Sequence, residues 1–121
     1  MTEEDRPALR RIVWLGDSRR NIQAFPTGEQ KLIGDELQLV QFGGKDAKPF
    51  KGIGSGVFEI ALAYEANAYR AVYAVQLGRK ICVLHAFQKK SKSGIKTPQK
   101  DVDLIKRRFK EAKELAKREE K

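Results

Sequence analysis

Cysteine, histidine, tryptophan and methionine each occur once in these 121 residues, and that scarcity excludes whole classes of chemistry. With Cys82 alone, neither an internal disulfide nor a thiolate zinc site can form. A chain without disulfides suits a reducing compartment, so a cytoplasmic location is expected. His85 cannot build a metal centre by itself, and no metal or other cofactor is expected. No apolar run approaches the roughly 20 residues that cross a bilayer. The opening MTEEDRPALRR has no apolar core of the kind a secretory signal needs, so no membrane partner is expected.

Acidic residues are missing where they matter most. None occurs between Glu65 and Asp101, while Arg70, Arg79, Lys80, Lys89, Lys90, Lys92, Lys96 and Lys100 all fall inside that interval. Over the whole chain 25 Lys and Arg face 16 Asp and Glu, a net charge of +9. Such an excess attracts an acidic partner, and a carboxylate-free basic zone is what a polyanion site requires. Hydrophobic content of 40% and charged content of 34% describe a globular chain, and 121 residues are expected to form a single domain, 1–121.

The pattern along the chain gives an α+β order, β-α-α-β-β-β-α. Residues 11–15, RIVWL, read as a short edge strand closed by Gly16. Asp17 and Ser18 suit a helix start, with Ile22 and Phe25 at helical spacing before Pro26. A second helix starts at Thr27 with Gln30 in capping-box position. It carries Ile33, Leu37 and Val40 on one stripe and stops at Gly43-Gly44. Residues 45–56 hold several glycines and read as a loop bearing Lys45, Lys48 and Lys51.

Three strands with tight turns follow, expected as an antiparallel meander. In the middle one Tyr69, Ala71, Tyr73, Val75 and Leu77 share the core face, which puts Arg70 on an open one. The third strand, residues 81–87, is apolar on both faces and gives no core face from its pattern. Thr97-Pro98 then starts a helix whose stripe is Val102, Ile105, Phe109, Ala112 and Ala116. The expected layout is a small two-layer antiparallel sheet, with the N-terminal helical hairpin on one face and a C-terminal helix.

The motifs W-L-G-D-S, A-K-P-F-K-G-I-G-S-G-V-F-E-I, Y-R-A-V-Y, V-L-H-A-F-Q-K-K-S-K-S-G-I-K-T-P and D-L-I-K-R-R run in order from about Trp14 to Arg108. Together they resemble the phage-derived HigB-like toxins of the RelE/ParE superfamily. The resemblance implies a RelE-like fold and the toxin of a type II toxin–antitoxin pair. It implies a ribosome-dependent endoribonuclease acting on mRNA, with the ribosome, mRNA and a small helix-turn-helix antitoxin as partners. Many members carry an arginine two residues after the glutamate of the strand before the YR strand; Ala61 stands there in this chain. The superfamily also holds gyrase poisons on the same fold, so a non-enzymatic gyrase inhibitor is an alternative, as is a basic nucleic-acid-binding module.

Cleavage without a metal requires deprotonation of the ribose 2′-hydroxyl, neutralisation of the phosphorane and protonation of the leaving 5′-oxygen. The candidate catalytic residues are Arg70, whose planar fork suits phosphate oxygens, Lys89 and Lys90, of which an extended chain points only one into the site, and His85. His85 has two readings, an acid–base group or a satisfied structural histidine inside an apolar strand. The candidate RNA contacts are Lys48, Lys51, Lys92, Lys96 and Arg107. Trp14, Tyr69 and Tyr73 offer rings for base stacking, although the positions of the two tyrosines favour the core. Cys82 reads as a small buried hydrophobe.

Overall fold

The computed structural model describes residues 10–89 and 96–119. β1 (Arg11–Trp14) leads to α1 (Ser18–Gln23) and α2 (Thr27–Gln41). β2 (Lys48–Pro49), β3 (Val57–Tyr64), β4 (Asn67–Leu77) and β5 (Lys80–Lys89) follow, and α3 (Gln99–Glu119) comes last. The α+β order is the expected one with a single addition. β2 lies in the stretch read as loop and pairs antiparallel with β3, Lys48 opposite Glu59 and Pro49 opposite Phe58. Proline fits there because β2 is an edge strand, where one row of N–H groups faces away from the sheet.

The five strands form one sheet in the order β1-β5-β4-β3-β2. β1 is an edge strand, as expected, but it runs parallel to β5, with Arg11 beside Lys80 and Trp14 beside Val83. The sheet is therefore mixed rather than antiparallel. A parallel pair needs a long crossover, and everything from α1 to β4 supplies it.

Helices cover both faces, so the expected two layers become three. On one face Ile22, Phe25, Ile33, Leu37 and Val40 pack against Tyr69, Ala71, Tyr73, Val75, Ile81 and Val83. On the other, Ile105, Phe109 and Ala112 of α3 pack against Val57, Val72, Ala74, Cys82 and Leu84. This is why β4 and β5 are apolar at almost every position: a strand covered on both sides has no solvent face to supply polar residues. Each aliphatic or aromatic side chain fully buried this way contributes roughly 1.5–3 kcal/mol.

The strict alternation breaks twice. The β4–β5 register slips between Val72 and Tyr73 and again between Ala74 and Leu77. The second slip moves Leu77 to the α3 face, away from the side expected from counting. The first places an extra residue in β5, so Val72 sits opposite His85 while Tyr73 sits opposite Val83. A bulge puts two successive residues on one face. Leu84 and His85 both turn toward α3, and Ala86 returns to the α1–α2 side.

The helix ends follow from local chemistry. α2 closes through a paired motif in which the Gly43 N–H donates to the Val40 carbonyl at 2.9 Å and the Gly44 N–H to that of Leu39 at 2.8 Å. Gly43 has φ +83°, which a side chain would strain. At the start of α2 the flanking residue is Pro26, which has no N–H to offer. Gln30 therefore reaches back with its amide to the carbonyls of Phe25 and Gln23 instead of closing a capping box.

Candidate nucleic-acid interface

Lys48, Lys51, Arg70 and Lys96, distant in sequence, line one cleft of about 480 Å³. Pro49, Phe50, Glu59, Thr97, Gln99 and Val102 complete its wall. The sheet register explains the meeting. Lys48 on β2 lies directly opposite Glu59 on β3, and Arg70 on β4 lies opposite Ala61, one diagonal step from Glu59. All three therefore share the α3 face at the end where the first turn of α3 arrives. That turn brings the positive end of the helix dipole to the same wall. Ala61 is exposed and leaves the ground beside Arg70 open.

Arg70 is on the face opposite the α1–α2 hairpin, as the alternation predicts, but that face is not open surface. α3 covers it, and the Arg70 side chain is only 12% exposed. Its Nη1 donates to Glu59 Oε1 at 3.0 Å, and the Glu59 side chain is 5% exposed. The pair is joined by one bond. Glu59 Oε2 and Arg70 Nε are both buried without a partner among the described residues. The basic interval from Glu65 to Asp101 is thus free of acid in sequence but not in space, because a cross-strand carboxylate from outside the interval sits on its arginine.

Lys89 ends β5, opposite Ala68, and its ammonium donates to the backbone carbonyl of Lys96. It holds the approach to α3 rather than lining the cleft. Lys90 and Lys92 lie outside the described residues. Arg107 is exposed on α3 and is not part of the cleft wall. Lys48, Lys51 and Lys96 are exposed and reach it from the rim.

His85 is engaged elsewhere. The β5 bulge aims it at α3, where Nε2 lies 2.8 Å from Asp101 Oδ1 and the ring stacks on Phe87 at 5.2 Å. Arg108 approaches the other nitrogen, Nδ1, at 3.4 Å. Arginine has only donors, so Nδ1 is the acceptor and the proton sits on Nε2, donated to Asp101. Arg108 also donates to the Leu84 carbonyl at 3.0 Å and to Asp17 Oδ1 at 2.8 Å. The guanidinium holds the Asp17 carboxyl below its ordinary value. With both nitrogens occupied and the side chain 6% exposed, the geometry supports the structural reading of this histidine.

Asp17, one of the expected capping residues of α1, makes no cap hydrogen bond with its side chain, which serves this network instead. Gly16 makes the arrangement possible. It has φ +52°, and a Cβ there would overlap the Arg108 guanidinium.

Tyr73 and Tyr69 are core residues, and Cys82 is buried, its thiol pushed up by loss of solvent. The Tyr73 hydroxyl accepts from the Ala47 N–H at 2.8 Å and faces Asp46 Oδ1 at 3.4 Å, which pins the segment leading into β2. Burial is the main cause that lifts its ionisation to about 12. Trp14 is half-buried against the same core, with the Arg19 guanidinium 6.0 Å from its ring centre.

Among the described residues, no group of three or more His, Cys, Asp or Glu is placed to hold a metal ion, and no helix is long and apolar enough to cross a membrane. Four residues that organise this region escape a reading of charge runs: Glu59, Asp101, Arg108 and Asp17. Asp101 carries a signal in retrospect. It extends the apolar stripe Ile105-Phe109-Ala112 one turn backwards, and an acid on a buried stripe requires a buried partner.

No curated protein and no solved structure shows significant similarity to the chain. The model of one family, the phage-derived Gp49-like proteins (DUF891), matches residues 20–110, a span that holds every strand but β1 and both sides of the cleft. The chain belongs to the phage-derived Gp49-like family.

Proposed function

We propose that the chain is the toxin of a two-protein toxin–antitoxin system, of the HigB-like kind in the RelE/ParE superfamily, and that it cuts messenger RNA on the ribosome. The cleft carries this reading. Four cations from three separate stretches of chain converge on one wall beside a helix N-terminus, in a protein of net charge +9. Such a wall suits the backbone of a single strand and the extra charge of a phosphorane. Membership of a phage-derived family and the resemblance of the motifs add to it.

In this reading the 2′-hydroxyl attacks the adjacent phosphorus and the 5′-oxygen leaves, giving a 2′,3′-cyclic phosphate and a 5′-hydroxyl. Arg70 engages the non-bridging oxygens with the donors that Glu59 leaves free, and Lys48, Lys51 and Lys96 hold the neighbouring phosphates. The silencing partner is an antitoxin of helix-turn-helix type, with an acidic segment attracted by the basic rim. The setting is the cytoplasm.

Induction of the protein alone is expected to stop growth and create new 5′ ends inside translated messages, read by end mapping. Intact messages on intact polysomes overturn the reading. DNA breaks with loss of supercoiling, in place of RNA cuts, replace it with gyrase poisoning.

A further inference from the structure

We infer that Glu59 is the group that takes the 2′-hydroxyl proton, an inference that rests on the ribonuclease reading of the cleft. A carboxylate at the centre of a phosphate-binding wall weakens the attraction for phosphate, so its presence needs a reason. A structural ion pair explains half of it. Oε1 accepts from Arg70 at 3.0 Å, but among the described residues Oε2 has no partner, and neither does Arg70 Nε. Buried arginine–carboxylate pairs frequently close two parallel bonds, and a buried oxygen or N–H left open is costly. Here the second leg is open on both sides, leaving a buried acceptor and a buried donor on two neighbouring residues of the cleft wall.

A ribose–phosphate link answers both. Its 2′-hydroxyl donates to Oε2, and the phosphate oxygen next to it accepts from Nε. DNA offers no such hydroxyl. The step balances within the cleft: the O2′–H bond breaks and its proton passes to Oε2. The O2′–P bond forms, P–O5′ breaks, and O5′ leaves with a proton from an ammonium on the wall. Solvent restores both groups. The charged groups facing Glu59 are Arg70 from β4, Lys48 from β2, Lys51 from the loop after it and Lys96 from the approach to α3. Oε2 and Nε are buried in the free protein, so a strand must displace a side chain of the wall to reach them.

The test uses the whole protein with ribosomes programmed with a short mRNA, under single-turnover conditions. E59Q keeps the shape and an oxygen for Arg70. It is expected to cut about 10²- to 10⁴-fold more slowly, without weaker RNA binding, and to lose the acidic limb of the pH–rate profile. A message with one 2′-deoxy position at the cut is expected to bind and stay whole. E59Q that retains the wild-type rate and limb overturns the assignment, as does a variant whose binding falls in step with its rate. If E59Q fails to fold, E59D decides: a carboxylate withdrawn by one methylene keeps the limb at a reduced rate, and an unchanged rate overturns the role. Wild type that leaves every message intact sinks the ribonuclease reading itself, and the role of Glu59 falls with it.

Discussion

Tyr73 shows how one buried side chain sets the position of a surface lysine. It is fully buried on β4, yet its hydroxyl reaches the chain ahead of β2 and holds Ala47, the residue before Lys48. Burial raises its ionisation from 10.0 to about 12. A raised folded value favours the neutral hydroxyl, so this contribution is complete below pH 10 and is lost as pH climbs from 10 toward 12. Two pH units correspond to about 2–3 kcal/mol. Tyr73→Phe is therefore expected to flatten the alkaline fall in stability between those values, measured as urea midpoints beside wild type. An equal fall in both proteins refutes it. Asp17 has the opposite sign: its depressed value stabilises above the ordinary carboxylate range and is lost on acidification. With its side chain about half exposed, the effect stays under about 1 kcal/mol.

At the scale of elements, one guanidinium adds polar fastenings to the apolar packing of α3 on the sheet. Arg108 joins α3 to the loop after β1 through Asp17 and to β5 through the Leu84 carbonyl and His85, while Asp101 holds the other side of the same ring. The bulge at Leu84 and His85 is what turns the imidazole toward the helix. Gly16→Ala is expected to cost about 1–3 kcal/mol, from left-handed strain and from displacement of Arg108. Arg108→Met removes the same contacts, so the double variant should be less destabilised than the sum of the two. Additive losses in thermal melts would separate the glycine from the guanidinium.

This fastening was the least legible part of the sequence. The helices, the meander and the core stripe were readable because their periods are set by burial, and Ile105, Phe109 and Ala112 are where the count puts them. His85 was not, because a bulge adds one residue and reverses every face after it. β2 is two residues long and owes its existence to pairing with β3, which no local pattern encodes. Nor does local pattern show that Glu59 and Arg70, 11 residues apart, meet across a strand pair.

For the whole molecule, the same gap between sequence and space decides where the positive field acts. α3 carries many lysines and arginines, but Asp101, Asp103, Glu111, Glu114 and Glu119 lie among them, and Lys80 is already paired with Glu119. The cleft is different, since the one carboxylate among its described lining residues is committed to Arg70 by one bond and its rim amines are exposed. A single strand bound there releases counterions for each phosphate that a cation neutralises, and each such contact adds about 0.7 to the slope of log affinity against log salt. Lys48→Ala, Lys51→Ala and Lys96→Ala are each expected to lower that slope by about 0.7, while Arg107→Ala, outside the wall, leaves it near wild type. Fluorescence anisotropy with a short single-stranded RNA, from about 50 to about 300 mM salt, reads the slopes directly. All four sites are exposed, so a change in slope reports binding rather than a loss of fold. If Arg107→Ala lowers the slope and the three rim variants do not, the strand lies along α3 and the cleft is not its path.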